Sequence, residues 1–183
     1  MSRMPLIDPA TATGSARDLR DTVRARLGVT PNMTKAMAIS PALLKGYLGL
    51  FGALGDGTLP VATRELIALA VAETNACNYC LSAHTYLAEN VARLDRATTE
   101  AARHAESTDP VVAAALTLAV TVTEARGEIS NADLAAARGA GLTDEQIAEV
   151  IGHVALNVLT NYFNKALDVD IDFPVVEVHA RAA

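Results

Sequence analysis

Helix-start signals recur along this chain, and they constrain its fold more than any other feature. Ser40 stands before Pro41, Asp109 before Pro110, and Pro60 before Val61. A short polar side chain can accept an amide bond at a helix N-terminus. Proline suits the first helical position, where its missing N–H would have no partner anyway. Thr143 with Gln146 makes a capping box, and Ser130 with Asp133 resembles one. Gly55-Asp56-Gly57, Gly127 and Gly139-Ala140-Gly141 each follow an apolar run and read as stops. These marks predict helices over Pro31 to about Ile39, Pro41 to Leu54, Val61 to about Glu73, and Cys77 to about Asn90. Further helices are expected from about Arg96 to Glu106, Pro110 to Arg126, Ser130 to near Gly139, and Thr143 to about Leu167. Asn75 reads as the N-cap of the Cys77 helix. Before these, an amphipathic helix is expected from about Ser15 to Leu27, preceded by an extended arm over residues 1–14. The tail from Asp168 to Ala183 reads as extended.

Composition points the same way. Hydrophobic residues make up 51% of the chain and aromatics only 4%, so much of the apolar share is alanine, the strongest helix former. No run favours a strand. The expected fold is all-α, one multi-helix domain over residues 1–183. With 15 basic and 21 acidic residues the net charge is −6, and no basic run occurs, which argues against nucleic acid as a partner. No segment is long and apolar enough for a signal peptide or a membrane span, so no membrane association is expected, and the location expected is the cytoplasm. Thiols there stay reduced. The two cysteines are therefore read by their spacing rather than as a structural bridge.

That spacing is Cys77-Asn78-Tyr79-Cys80. Three residues apart near a helix N-terminus, both sulfurs share one face and can form a disulfide. The helix dipole and unpaired N–H groups favour a thiolate there. His84 follows Cys80 by one helical turn and could accept its proton. Glu65 lies in an apolar helix beside Leu66 and Ile67, where a carboxylate is costly unless paired, functional or turned to solvent. His153, Asn157 and Asn161 recur every four residues on the last long helix. They read as a helix–helix or subunit-contact network, or, for His153, as lining for the thiol site. His104 and His179 have no patterned neighbours and read as surface residues. Cys77, Cys80 and His84 could form part of a zinc site, but a fourth ligand would have to be Glu65, His153 or a partner chain's residue, and no metal is expected. No flavin, nicotinamide or haem motif is visible, so no cofactor is expected.

The set Glu65, Cys77, Cys80 and His84 resembles the signature of the alkylhydroperoxidase D-like (AhpD-like), peroxidase-related branch of the carboxymuconolactone decarboxylase superfamily. Arg64-Glu65-Leu66-Ile67-Ala68-Leu69-Ala70-Val71, Asn75-Ala76-Cys77-Asn78-Tyr79-Cys80, Thr160-Asn161-Tyr162-Phe163-Asn164 and Ile171-Asp172-Phe173-Pro174 are similar to its members. The likeness spans about Pro41 to Pro174. It implies an AhpD-like helical bundle assembling as a homo-oligomer, trimer or hexamer. It implies hydroperoxide as substrate and an external dithiol or protein as reductant. By position, Cys80 would attack the peroxide and Cys77 would resolve the product to a disulfide. Glu65 and His84 would move the proton that activates Cys80. One departure is clear: Tyr79 stands where the best-studied type of the family carries a histidine, and a phenol is a poor base at neutral pH. Thiol–disulfide exchange with another partner, a muconolactone-type lyase reaction, and a non-catalytic assembly with buried cysteines are the competing readings.

Overall fold

The computed structural model describes residues 1–7, Val23 and 29–179. Eight bounded helices lie among them: α1 Asn32–Met37, α2 Pro41–Gly55, α3 Val61–Thr74, α4 Asn78–Asn90, α5 Arg96–Arg103, α6 Pro110–Glu124, α7 Asn131–Gly139 and α8 Asp144–Leu167. No strand occurs among the described residues, and the fold is all-α as expected. The helix expected from Ser15 to Leu27 lies outside the described residues, Val23 apart, as does the later half of the N-terminal arm.

The start signals are realised as hydrogen bonds. The Ser40 hydroxyl accepts from the Leu43 amide, and the Asp109 carboxylate from those of Val111 and Val112. Both capping boxes close in both directions. Three helices stop sooner than expected, α1 at Met37 rather than Ile39, α5 at Arg103 rather than Glu106 and α6 at Glu124 rather than Arg126. Ala105 (φ 58°) and Arg126 (φ 54°) turn left-handed, so the amides of Glu106 and Gly127 reach back to the carbonyls of Ala101 and Val122. This helix-ending geometry normally selects glycine at the turning residue, so alanine and arginine gave no warning of it.

Helix α3 is the centre of the bundle. Every residue from Leu66 to Ala72 is buried, which explains why its apolar residues form no narrow stripe. It packs against α4, α5, α6 and α8, and α8 in turn packs against α2, α4 and α6. At the α2–α8 crossing a Cβ on Gly152 would stand 3.0 Å from Leu54 Cδ2. Glu149 of α8 accepts the amides of Thr58 and Leu59 and so fixes the turn leading into α3. No helix among the described residues is long and apolar enough to cross a membrane.

After Asp168 the chain folds back as an extended strap across α4 and α5. The Val176 amide donates to Ser82 Oγ at 2.9 Å, and the Val178 amide to Asn78 Oδ1 at 3.0 Å. The first residues run alongside: the Arg3 amide donates to the Leu167 carbonyl at 2.7 Å, and Ser2 Oγ to Asp170 Oδ2 at 2.9 Å.

Candidate active site

The thiol pair sits where α3 ends and α4 begins. Asn75, read from the sequence as the cap of α4, is instead the C-cap of α3, and Cys77 itself caps α4. The reason is local. Ala76 turns left-handed (φ 52°), and the Cys77 amide reaches back to the Ala72 carbonyl at 2.9 Å. Cys77 is then extended (φ −109°, ψ 94°), and its sulfur accepts the Cys80 amide at 3.4 Å. One residue thus closes one helix and opens the next, and a sulfur does the work usually given to an oxygen.

Both cysteines are free thiols, only 1% and 2% exposed. Their environments push them apart. The Cys77 thiol is lowered, chiefly because Cys80 hydrogen-bonds to its sulfur. Burial opposes this without cancelling it, and Lys165 and His84 add a favourable field. The Cys80 thiol is raised, first by burial and then by the hydrogen bond and charge of Cys77. The carboxamides of Asn164 and Asn161 pull the other way. Asn164 Nδ2 donates to Cys80 Sγ at 3.4 Å, and Asn161 Oδ1 accepts from Asn75 Nδ2 at 3.0 Å.

His84 and Glu65 meet: Nδ1 and Oε2 are 2.8 Å apart, with both side chains largely shielded. A carboxylate only accepts, so Nδ1 carries a hydrogen, and when the ring is neutral Nε2 is the basic nitrogen. The four residues singled out from the sequence therefore form two adjoining pairs, a dithiol and an imidazole–carboxylate.

Tyr79 takes no part in that arrangement. Its hydroxyl accepts the Met33 amide at 3.0 Å and donates to Asp172 Oδ1 at 2.9 Å, and its ring meets Phe173 edge-on. Burial, first of all, holds the phenol protonated. Tyr79 is thus a tie between α1, α4 and the strap.

The polar residues of α8 divide. Asn157 donates back to the His153 carbonyl at 2.8 Å, within its own helix. Asn161 reaches across to Asn75, and His153 to the Leu54 backbone of α2, so these two make the helix–helix bonds expected of the series. His153 faces Arg64, Glu149 and Glu65. Burial first and Arg64 second lower its pKa, and its Nε2 has no partner among the described residues. Asn164 and Tyr47 were missed as site residues. Tyr47 is a buried phenol raised by burial and by the fields of Cys80 and Glu65. Asn164 follows Asn161 by three residues on a buried face and closes a segment similar to the family's, and those are the signals the sequence offered.

Residues 41–121, which include Glu65, Cys77, Cys80 and His84, match the carboxymuconolactone decarboxylase family. The whole fold is similar to the AhpD core of a peroxidase-related protein from Ralstonia eutropha, with TM-score 0.83 and 25% identity, covering 93% of this chain and 92% of that one. A peroxidase-related protein from a Silicibacter species gives 0.80 and 25%, over 92% and 91%. The family match and the shared fold together support an AhpD-like member of the carboxymuconolactone decarboxylase superfamily. A debrominase shares the AhpD-like fold at TM-score 0.78 and 20% identity, over 91% of this chain and 90% of that one. An uncharacterised Haemophilus influenzae protein is 51% identical over 45 residues, 24% of this AhpD-like chain, which spans 40% of that relative's length.

Proposed function

We propose that this protein reduces hydroperoxides with the Cys77–Cys80 dithiol. The observation that carries the reading is the imidazole–carboxylate pair at 2.8 Å beside two reduced, mutually hydrogen-bonded thiols. Burial keeps Cys80 protonated at rest, so attack requires proton removal, and His84 Nε2, with Glu65 behind it, is the base. Asn164 steadies the thiolate that forms. The Cys80 sulfur attacks the distal peroxide oxygen. An S–O bond forms, the O–O bond breaks, and the alcohol leaves with a proton. Cys77 then attacks the sulfenic sulfur, forming the disulfide and releasing water. An external dithiol returns the pair to the thiols. No resident cofactor or metal enters this cycle, and homo-oligomeric assembly in the cytoplasm is part of the proposal.

Burial of both sulfurs favours a small oxidant over a protein disulfide, which could not reach them without local opening. A lyase reaction has no need of a dithiol. Counting free thiols before and after one equivalent of a small hydroperoxide tests the proposal. Both should disappear together and return with dithiothreitol. Persistence of both thiols, with each still alkylated after unfolding, refutes it.

A further inference from the structure

A second group of titratable side chains lies where the strap crosses the end of α5, and it contains neither cysteine. Glu100 and His104 sit one turn apart on and just after α5, and His179 arrives from the strap. One potential ligand atom from each lies within 4.8 Å of the others. The two imidazoles stack with centroids 4.7 Å apart and planes inclined by 16°. His179 Nε2 is 2.8 Å from Glu100 Oε1.

The neighbouring residues hold these donors in place. Glu73 of α3 accepts the His179 amide at 2.8 Å and faces its Nδ1 at 3.5 Å. Arg103, 8% exposed, binds Glu73 Oε2 at 2.8 Å, Glu100 Oε2 at 2.9 Å and the Glu177 carbonyl at 2.8 Å. One oxygen of Glu100 is thus engaged and the other is turned to His179. Burial alone would raise the Glu100 carboxyl, but Arg103 and His179 outweigh it and hold it ionised.

We propose that Glu100, His104 and His179 bind a divalent cation of the zinc class, through Glu100 Oε1, one ring nitrogen of His104 and His179 Nε2, with solvent completing the shell. Two imidazoles and one carboxylate suit zinc, cobalt or nickel, whereas calcium and magnesium take oxygen donors. Zinc bonds of about 2.0–2.1 Å set tetrahedral donors roughly 3.3 Å apart. Small rotations of these partly exposed side chains open the 2.8 Å contact and close the wider ones. A carboxylate facing the far nitrogen of a metal-bound imidazole fixes its orientation and tautomer, and Glu73 stands in that position toward His179. The cation would pin the strap, whose remaining anchors include Asn78 and, through Asp172, Tyr79, the two residues between the cysteines.

The test is titration of untagged, full-length, reduced protein with cobalt(II), an optical stand-in for zinc. One equivalent should bind with ligand-field absorption and no thiolate-to-metal charge-transfer band. His104→Ala and His179→Ala, both at exposed positions, should each weaken binding at least ~10-fold, and Glu73→Gln about 10-fold. Excess zinc should displace the cobalt. Three results would overturn the assignment: no binding at millimolar cobalt, binding unchanged in the double histidine variant, or a signal carrying the thiolate band alone, which would place the metal on Cys77 and Cys80.

Discussion

The thiol pair and the histidine cluster are two polar constellations built in opposite ways. Cys77, Cys80 and His84 lie within eight consecutive residues at one helix N-terminus, with Glu65 one helix earlier. All four are buried or largely shielded. Glu100, His104 and His179 come from the end of α5 and from a strap 75 residues later, and the latter two are exposed. Local assembly makes the first constellation readable from spacing and rigid by packing. Remote assembly leaves the second invisible in spacing and open to solvent, with Arg103 and Glu73 supplying the order that packing does not.

If the thiol pair is the chemical centre, its variants should separate cleanly from those of the strap. Cys80→Ser should lower peroxide turnover at least ~10³-fold, measured as loss of hydroperoxide with excess dithiol. Full turnover in that variant would erase the contrast. His84→Ala and Glu65→Gln should each cost on the order of 10²-fold in the same assay, most of it in kcat. His104→Ala should leave that rate within about twofold, since neither its charge nor its contacts reach the sulfurs.

Finer measurements sharpen the contrast inside the pair. The main cause lowering the Cys77 thiol is the bond from Cys80, so Cys80→Ala should move the pH profile of Cys77 alkylation upward. Cys77 helps raise Cys80, so Cys77→Ala should move the Cys80 profile downward, though burial will keep it above the ordinary cysteine value. Shifts of the same sign in both variants would mean the sulfurs are not coupled as described. Smallest of all, Tyr79→Phe should cost roughly 1–3 kcal/mol of stability by urea denaturation. It leaves the Met33 amide without its acceptor, while turnover should stay nearly unchanged.

Much of the fold was legible because caps and breakers act within a few residues. Ser40, Asp109, Ser130 and Thr143 all cap where their chemistry says they should. Three of the errors share a cause. Ala105 and Arg126 turn left-handed where glycine is the usual signal, so the ends of α5 and α6 were read too late, and the same turn at Ala76 hid the start of α4. There the cap moved from Asn75 to Cys77. The Glu65–His84 contact was suggested by family spacing, not by periodicity. Asn164 and Tyr47 enter the site only because α8 and α2 fold over α3 and α4, and nothing in a local window records that. Tyr79 shows the reverse case. Its departure from the family pattern was plain in the sequence, but its use as a tie to Asp172 needed the strap's path.

Cys77 as helix cap links the electron balance of the site to the stability of α4. In the dithiol state a sulfur whose thiol is held below its ordinary value accepts the Cys80 amide, whereas in a disulfide the same atom could carry no charge and would accept more weakly. If the proposed disulfide forms, it would therefore loosen the first turn of α4, and the reduced form would gain by the difference. If that difference is about 1 kcal/mol, as for an ordinary cap, the reduction potential rises by about 20 mV, making the disulfide the easier to recycle.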